Sequence, residues 1–472
     1  MKKFIIYITS GIAAAMTFAS CDKILNKDPL DSFADANFWS SEGNVEAYAN
    51  TFYNQFDGYG GSFYFPTLND NQAANGFRDW NYADLLSYNG NWINGYAEIR
   101  RSNVLIARVE GMSVLDDETK AHWIGVAKLM RAFQYYSLAD KYVSNYNSID
   151  LKSNPEMILY KHYVKDIMHH SLVDYTCTST EQHGLTKDAF DSYLFRDGKP
   201  LGTTTLDKSD KAVKTTLKVT DAATGAEKVL DVMSVAGPMS VRDPRLSMSF
   251  DEYLGFTAND GFKRSFDDGN GGLKLPVDGH YMTSTTGYLV RKYDTPELAS
   301  GYRDVAKNYT DAPIYWLSVI YLNYAEACAE LGSCSKSDLD ASVNKLRARV
   351  GMPAMEVNPA ADPANDMGVS NLIWEIRRER RVELMYDNNF RFWDLHRWHQ
   401  LDKLDGTKNP DILYGANVSG ISGIDTDKTP VQNGYIYTGN RGIRTYDKKY
   451  YFYPIPTSQI TLNDKLSQNP NW

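Results

Sequence analysis

A mainly helical chain with a loop-rich middle is the fold this sequence predicts, and three observations predict it. Apolar residues recur at helical spacing near both ends of the 472-residue chain, and glycine or proline closes several of those stripes. Between about residues 176 and 310 the sequence turns to Gly, Asp, Thr and Ser and long stripes disappear.

The elements follow in order. Val45, Ala49, Phe52 and Phe56 recur at steps of 4, 3 and 4, and Trp92, Tyr96, Ile99, Asn103 and Ile106 form a second stripe. Trp123, Ala127, Met130, Phe133 and Ser137 mark a third helix, with Asp116 or Asp117 as its N-cap. The middle includes the polar tract 203–224 and few strand signals, Lys214 to Val219 and Lys228 to Val232 being the stretches that read as short strands. Later, Ile320, Tyr324, Ala327 and Leu331 form one helix face, stopped by Gly332. Leu339, Val343, Leu346 and Val350 form the next, opened by Ser337 and Asp340 as a capping box and closed by Gly351 and Pro353. Two such helices on a short turn make a helical hairpin, the unit of a solenoid-like array. Binding elements are expected in the long irregular stretches, the middle and Gly58 to Gly90, because structureless runs of that length are uncommon unless they have a role.

Lys2 and Lys3 precede a largely apolar run, residues 4–20, that ends at Ala19-Ser20-Cys21. That order reads as a secretory signal, and small residues before a cysteine resemble a bacterial lipobox, so Cys21 is the expected lipid attachment site. The run is shorter than the ~20 residues a transmembrane helix needs, and polar residues interrupt it. Removal of the two lysines takes the net charge from −9 to −11, which opposes binding to nucleic acid. Of four cysteines, Cys177, Cys328 and Cys334 remain, an odd number with no CxxC pattern, so neither a disulfide framework nor a zinc site is expected.

The arginine run Arg377 to Arg381 is interleaved by Glu375, Glu379 and Glu383, the spacing of a structural charge network rather than of a phosphate site. Carboxylate pairs abound, but no nucleophile-elbow, zinc-protease or phosphate-loop motif accompanies them, and no enzymatic activity is expected. His396 with His399, and His169 with His170, lack a third ligand at a recognisable spacing. Asp267 to Gly271 has calcium-friendly oxygens without a complete loop and reads as a turn. No cofactor is expected.

Two stretches near the C-terminus, 375–384 (Glu-Ile-Arg-Arg-Glu-Arg-Arg-Val-Glu-Leu) and 391–398 (Arg-Phe-Trp-Asp-Leu-His-Arg-Trp), resemble the signature of the SusD/RagB family of Bacteroidetes outer-membrane lipoproteins. Tyr453 to Pro456 and Gln468-Asn469-Pro470 resemble that family's end, while Phe38-Trp39, Ile99 to Asn103, Arg242-Asp243-Pro244-Arg245 and Asn323 to Ala327 continue its order along the chain. Three departures stand out. Only about a dozen residues separate Tyr142 from Asn154-Pro155, where relatives carry further hairpins. Trp316 and Val319 replace an Arg and a Glu, which implies an ion pair exchanged for apolar packing. Asp387 to Phe390 differs from the usual turn.

The resemblance implies tetratricopeptide-like hairpins in a mainly α fold, organised as a signal at 1–20, an N-terminal helical SusD-like region at 21–175, an irregular region at 176–310 and a C-terminal SusD/RagB region at 311–472. It also implies a lipid-anchored, cell-surface protein of the outer membrane that captures oligosaccharides for a SusC-like TonB-dependent transporter. Oligopeptide capture and a helical scaffold for another protein are the alternatives. Capture needs exposed rings beside hydrogen-bonding groups, and the chain is rich in rings, with 33 Tyr, 19 Phe and 9 Trp. Trp80 and Tyr82, with Arg78, Asp79 and Asn81, offer both in one loop, so these five are the expected ligand contacts. Tyr288 joins them, and Tyr253 and Tyr281 are secondary.

Overall fold

The computed structural model describes residues 38–56, 69–73, 90–137, 148–172, 181–221, 226–255, 266–267, 273–275, 283–293, 295, 298–302, 306–387, 390–424, 426–427 and 429–472. Cys21, the loop of Trp80 and its neighbours, Tyr281 and Cys177 lie outside these residues. The described part is mainly helical, with short strands concentrated in the middle, and it divides into two units, residues 1–55 with 90–138 and residues 56–89 with 139–472.

The first unit holds α1 (Glu42–Asn50), α2 (Gly90–Gly111) and α3 (Asp117–Ser137). Ser41 caps α1 through Asn44, and Asp116, one of the two caps expected for α3, accepts from the Thr119 amide at 2.7 Å. Val45 and Ala49 are buried from α1, Phe52 from the 3-10 turn Thr51–Gln55 that continues it, and Ala127 and Met130 from α3. On α2 the buried face is Ile99, Ser102, Leu105 and Val109, rotated from the expected stripe, and Tyr96 is half exposed. The reason is that α2 carries apolar residues on neighbouring faces, and packing against α3 selects the one with the small Ser102.

In the second unit, β1 (Gln72–Ala73) pairs with β4 (Gly184–Leu185), and β2 (Met157–Lys161) with β12 (Ala312–Trp316). The expected strands form the antiparallel hairpin β5 (Val213–Asp221) and β6 (Glu227–Ser234). It lies in a six-stranded sheet with β7 (Phe250–Leu254), β8 (Phe266–Asp267), β9 (Leu273–Leu275) and β11 (Tyr288–Val290). The short strands β3 (Glu181–Gln182) and β10 (Thr283–Ser284) pair in parallel. Helix α4 (Lys187–Ser192) is capped by Thr186, and α5 (Ala236–Ser240) and α6 (Arg245–Ser249) precede β7.

Helix α7 (Leu317–Glu330) ends at Gly332, whose φ of +67° suits glycine. The expected helix after it divides at Ser342 into α8 (Lys336–Ala341) and α9 (Val343–Arg349). Its capping box is Ser335 with Asp338, not Ser337 with Asp340. On α7 the expected face is the exposed one, with Ile320, Tyr324 and Leu331 toward solvent and Val319, Leu322, Ala325 and Glu326 buried. Trp316 and Val319 are buried, Trp316 edge-on to Phe390 at 5.8 Å, so apolar packing does fill that place. Helices α10 (Asn371–Glu383) and α11 (Phe390–Arg397) carry the two signature stretches. A three-stranded sheet of β13 (Tyr414–Asn417), β14 (Val431–Gln432) and β15 (Tyr435–Tyr437) follows, then α12 (Thr457–Leu462). Among the described residues no helix is long and apolar enough to cross a membrane.

Candidate functional site

The arginine run is structural. Glu379, almost fully buried, accepts from Arg245 at 2.6 Å and Arg347 at 2.7 Å. Arg347 also binds Glu375 at 2.7 Å, Arg380 binds Asp394 at 2.7 Å, and Arg397 binds Asp394 and Glu326. Burial alone would raise the Glu379 carboxyl, but Arg245 and Arg347 outweigh it and hold its pKa at about 2. One histidine of each pair is held by the fold: His396 Nε2 meets the Tyr451 carbonyl at 2.8 Å, and His170 is fully buried.

Tyr288 is not a surface ring. It is 2% exposed, stacked on Phe190 with centroids 5.3 Å apart, because β11 runs Tyr-Leu-Val with every side chain buried. A strand buried on both faces reads as an apolar run, and its tyrosine belongs to the core. Tyr253 on β7 is part-buried.

Half-exposed rings gather instead on the β13–β15 sheet. Val431-Gln432 and Tyr435-Ile436-Tyr437 flank Asn433-Gly434, whose φ values of +55° and +84° are those of a type I′ hairpin turn. Alternation along β15 buries Ile436 and turns Tyr435 and Tyr437 to the other face. Tyr414 of β13 lies opposite Tyr437, and an irregularity in the register lets Asn417 oppose Tyr435. The Tyr414 ring sits 5.9 Å from Tyr435 and 5.5 Å from Tyr437, all three tilted and partly open. Polar groups frame them. The Tyr435 hydroxyl donates to Asp210 at 2.8 Å, Asn417 Nδ2 donates to the same carboxylate at 2.8 Å, and Asn433 Nδ2 donates to the Tyr414 hydroxyl at 3.3 Å. Burial and then the Asp210 carboxylate push the Tyr435 phenol up to about 12, so it remains a neutral donor at physiological pH. Lys187 Nζ lies 5.7 Å from the centre of the Tyr435 ring.

Through Lys187 this ledge meets a cleft of about 350 Å³. Its walls carry six carboxylates, Asp70, Asp188, Asp191, Asp362, Asp366 and Asp411, and six cations, Lys187, Arg377, Arg378, Arg381, Arg391 and Lys403. Each cation is paired. Arg391 forks onto Asp70 at 2.7 and 2.6 Å, and Arg381 reaches Asp188 at 2.5 Å. Arg378 holds Asp362, Lys403 holds Asp366 at 2.5 Å, Lys187 bridges Asp191 and Asp411 at 2.8 and 2.9 Å, and Arg377 pairs with Glu330. Burial would raise Asp70, but Arg381 and Arg391 hold it well below the usual carboxylate range. Neither ledge nor cleft was expected from the sequence. The Asn-Gly turn between alternating residues was the available signal for the ledge, whereas the cleft joins α4, α10, α11 and the 69–73 segment, which no local pattern connects.

The model of the SusD family matches residues 140–472. A SusD-like protein of Bacteroides ovatus is 28% identical over 136 residues, 26% of this chain and 24% of that protein, so the match spans about a quarter of the relative's length. Among solved structures, a SusD superfamily protein from Parabacteroides distasonis aligns over 92% of this chain and 100% of its own at 14% identity and a TM-score of 0.46. Surface glycan-binding protein A from Bacteroides uniformis aligns over 91% and 99% at 14% identity and 0.42. The matched region contains the arginine network, the cleft's α4, α10 and α11 walls and the tyrosine ledge, and it exceeds half of the chain: this protein belongs to the SusD family.

Proposed function

We propose that this chain is a cell-surface glycan-binding protein that captures oligosaccharides, without cleaving them, for a SusC-like TonB-dependent transporter. The carrying observation is the ledge of Tyr414, Tyr435 and Tyr437, three partly open rings bordered by Asp210, Asn417, Asn433 and Lys187. Sugar rings bury their apolar faces against aromatic planes while flanking amides and carboxylates take their hydroxyls. Family membership supports the reading, as does the lack of any expected nucleophile or metal motif in the sequence. The lipid anchor at Cys21 belongs to the same proposal, and Trp80 with Arg78, Asp79, Asn81 and Tyr82 is proposed as a second platform.

Calorimetric titration with a panel of oligosaccharides tests it. Tyr435→Ala and Tyr437→Ala should each weaken binding roughly ten- to hundredfold, as loss of a stacked side chain worth ~1.5–3 kcal/mol implies, with melting changed less than binding because the rings are only partly buried. A double variant with the parent's affinity would remove the ledge from the site. New reducing ends during incubation would overturn the binding-only reading, and capture of oligopeptides but no glycan would replace the ligand.

A further inference from the structure

We infer that the cleft beside the ledge is a subsite for uncharged sugars that turns away carboxylated and sulfated ones; this rests on the glycan reading above. Size and position come first. At about 350 Å³ the cleft lies at the small end of ligand pockets, enough for a short segment of a chain whose remainder continues past Lys187 onto the tyrosines.

Its hydrogen-bonding chemistry selects the class. Arg378, Arg381 and Arg391 each spend Nε or Nη2 on their partners, and their Nη1 groups make no hydrogen bond among the described residues. None of these three groups is among the buried unsatisfied atoms, so they remain open to the solvent of the cleft. Opposite donors stand acceptors: the Asp366 side chain is 64% exposed and that of Asp411 42%, each holding a lysine with oxygen lone pairs to spare. A hydroxyl both donates and accepts, so a neutral sugar can bridge guanidinium and carboxylate without breaking an ion pair.

An anionic sugar cannot. Its carboxylate or sulfate would approach Arg381 and Arg391, whose own carboxylates already lie within 2.5–2.7 Å, and six acids balance six bases, leaving no net attraction. To bind, it would have to displace an existing pair and strand that carboxylate, which is costly at a partly desolvated wall.

The test uses the purified chain with neutral plant and yeast polysaccharides alongside polygalacturonate and chondroitin sulfate, read by retardation in affinity gels and by calorimetry at 50 and 500 mM NaCl. A neutral glycan should bind with less than twofold change between the two salt concentrations, and the acidic polymers at least tenfold more weakly. Asp366→Asn with Asp411→Asn, both on the exposed rim, removes two negative charges, takes away the Lys403 partner and leaves Lys187 with Asp191 alone, so the net charge of the cleft rises by two. Circular dichroism verifies that the variant is folded, and its affinity for polygalacturonate should rise at least fivefold at 50 mM and fall again at 500 mM. Tighter binding of an acidic polymer by the parent, or no gain in the folded variant, overturns the charge selection while leaving glycan capture standing. Binding of neither class overturns glycan capture and the inference with it.

Discussion

His170 shows how one side chain ties pH to the fold. The Leu172 amide donates to Nδ1 at 3.1 Å, so Nδ1 carries no proton, and Nε2–H donates to the Thr310 carbonyl at 2.9 Å. Burial dominates, partly opposed by the Thr310 carbonyl, and takes its pKa from 6.5 to about 4. The unfolded chain therefore takes up this proton first: the contribution is complete above pH 6.5 and is lost as pH falls from 6.5 toward 4. Between pH 7.5 and 5 the loss is about 2 kcal/mol. Nitrogen NMR of histidine-labelled protein should show the His170 ring neutral, protonated on Nε2, at pH 5. A midpoint near 6.5 for that ring would contradict the assignment.

At the scale of elements, two glycines under the tyrosine ledge separate its turn from its rings. Gly434 holds φ +84° in the hairpin turn, and a Cβ there would stand 2.7 Å from the Ser419 Cβ, so Gly434→Ala strains the turn by about 1–3 kcal/mol. It should lower both melting temperature and glycan affinity. A Cβ on Gly439 would stand 2.2 Å from the Tyr437 hydroxyl, 2.3 Å from its Cζ and 2.8 Å from its Cε2, all at the outer end of one partly open side chain, so the Tyr437 ring must turn aside while the backbone stays. Gly439→Ala should therefore weaken binding with little change in melting, and a large melting loss would show that the ring is fixed by the fold rather than by Gly439. Legibility differs by element for related reasons. The strands β5 and β6 and the Asp116 cap of α3 follow from local sequence and were readable there. Helix α7 and its stop at Gly332 were readable too, but its buried face was not, because Leu-Ser-Val-Ile-Tyr-Leu-Asn-Tyr offers two apolar faces. What decides between them is Glu326, which points inward to Arg397 at 2.6 Å and the Trp398 indole at 2.6 Å, partners 71 and 72 residues away. Tyr288 was misread because loop-rich text on either side hides a strand buried on both faces.

Across the second unit as a whole, the stretches that carry the family resemblance are its buried charges. Arg245 of α6 binds Asp243, Glu379 and Glu383; Arg347 of α9 binds Glu375 and Glu379; Arg391 of α11 crosses to Asp70. Separately, each of these charges would be expensive to bury, and together they form pairs whose attraction offsets that cost. Such a network contributes little net stability relative to an apolar core, but it cannot lose one member cheaply. Glu379→Gln leaves Arg245 and Arg347 buried with one carboxylate fewer each, at a cost of about 3–5 kcal/mol. By contrast Asp366→Asn, at a pair whose carboxylate is exposed, should cost no more than ~1 kcal/mol. Acid acts on the same group. With its pKa lowered from 4.5 to about 2, Glu379 stabilises the fold fully above pH 4.5 and loses that contribution as pH falls from 4.5 toward 2, and the lowered Glu383 and Asp362 act in the same direction. Urea unfolding followed at pH 7, 4 and 3 should show the parent weakening mainly below pH 4.5, while Glu379→Gln starts several kcal/mol lower at pH 7 and loses less on acidification, since the group that titrates is gone. An equal acid loss in the two proteins would mean that other carboxylates, not the centre of this network, set the acid limit of the fold.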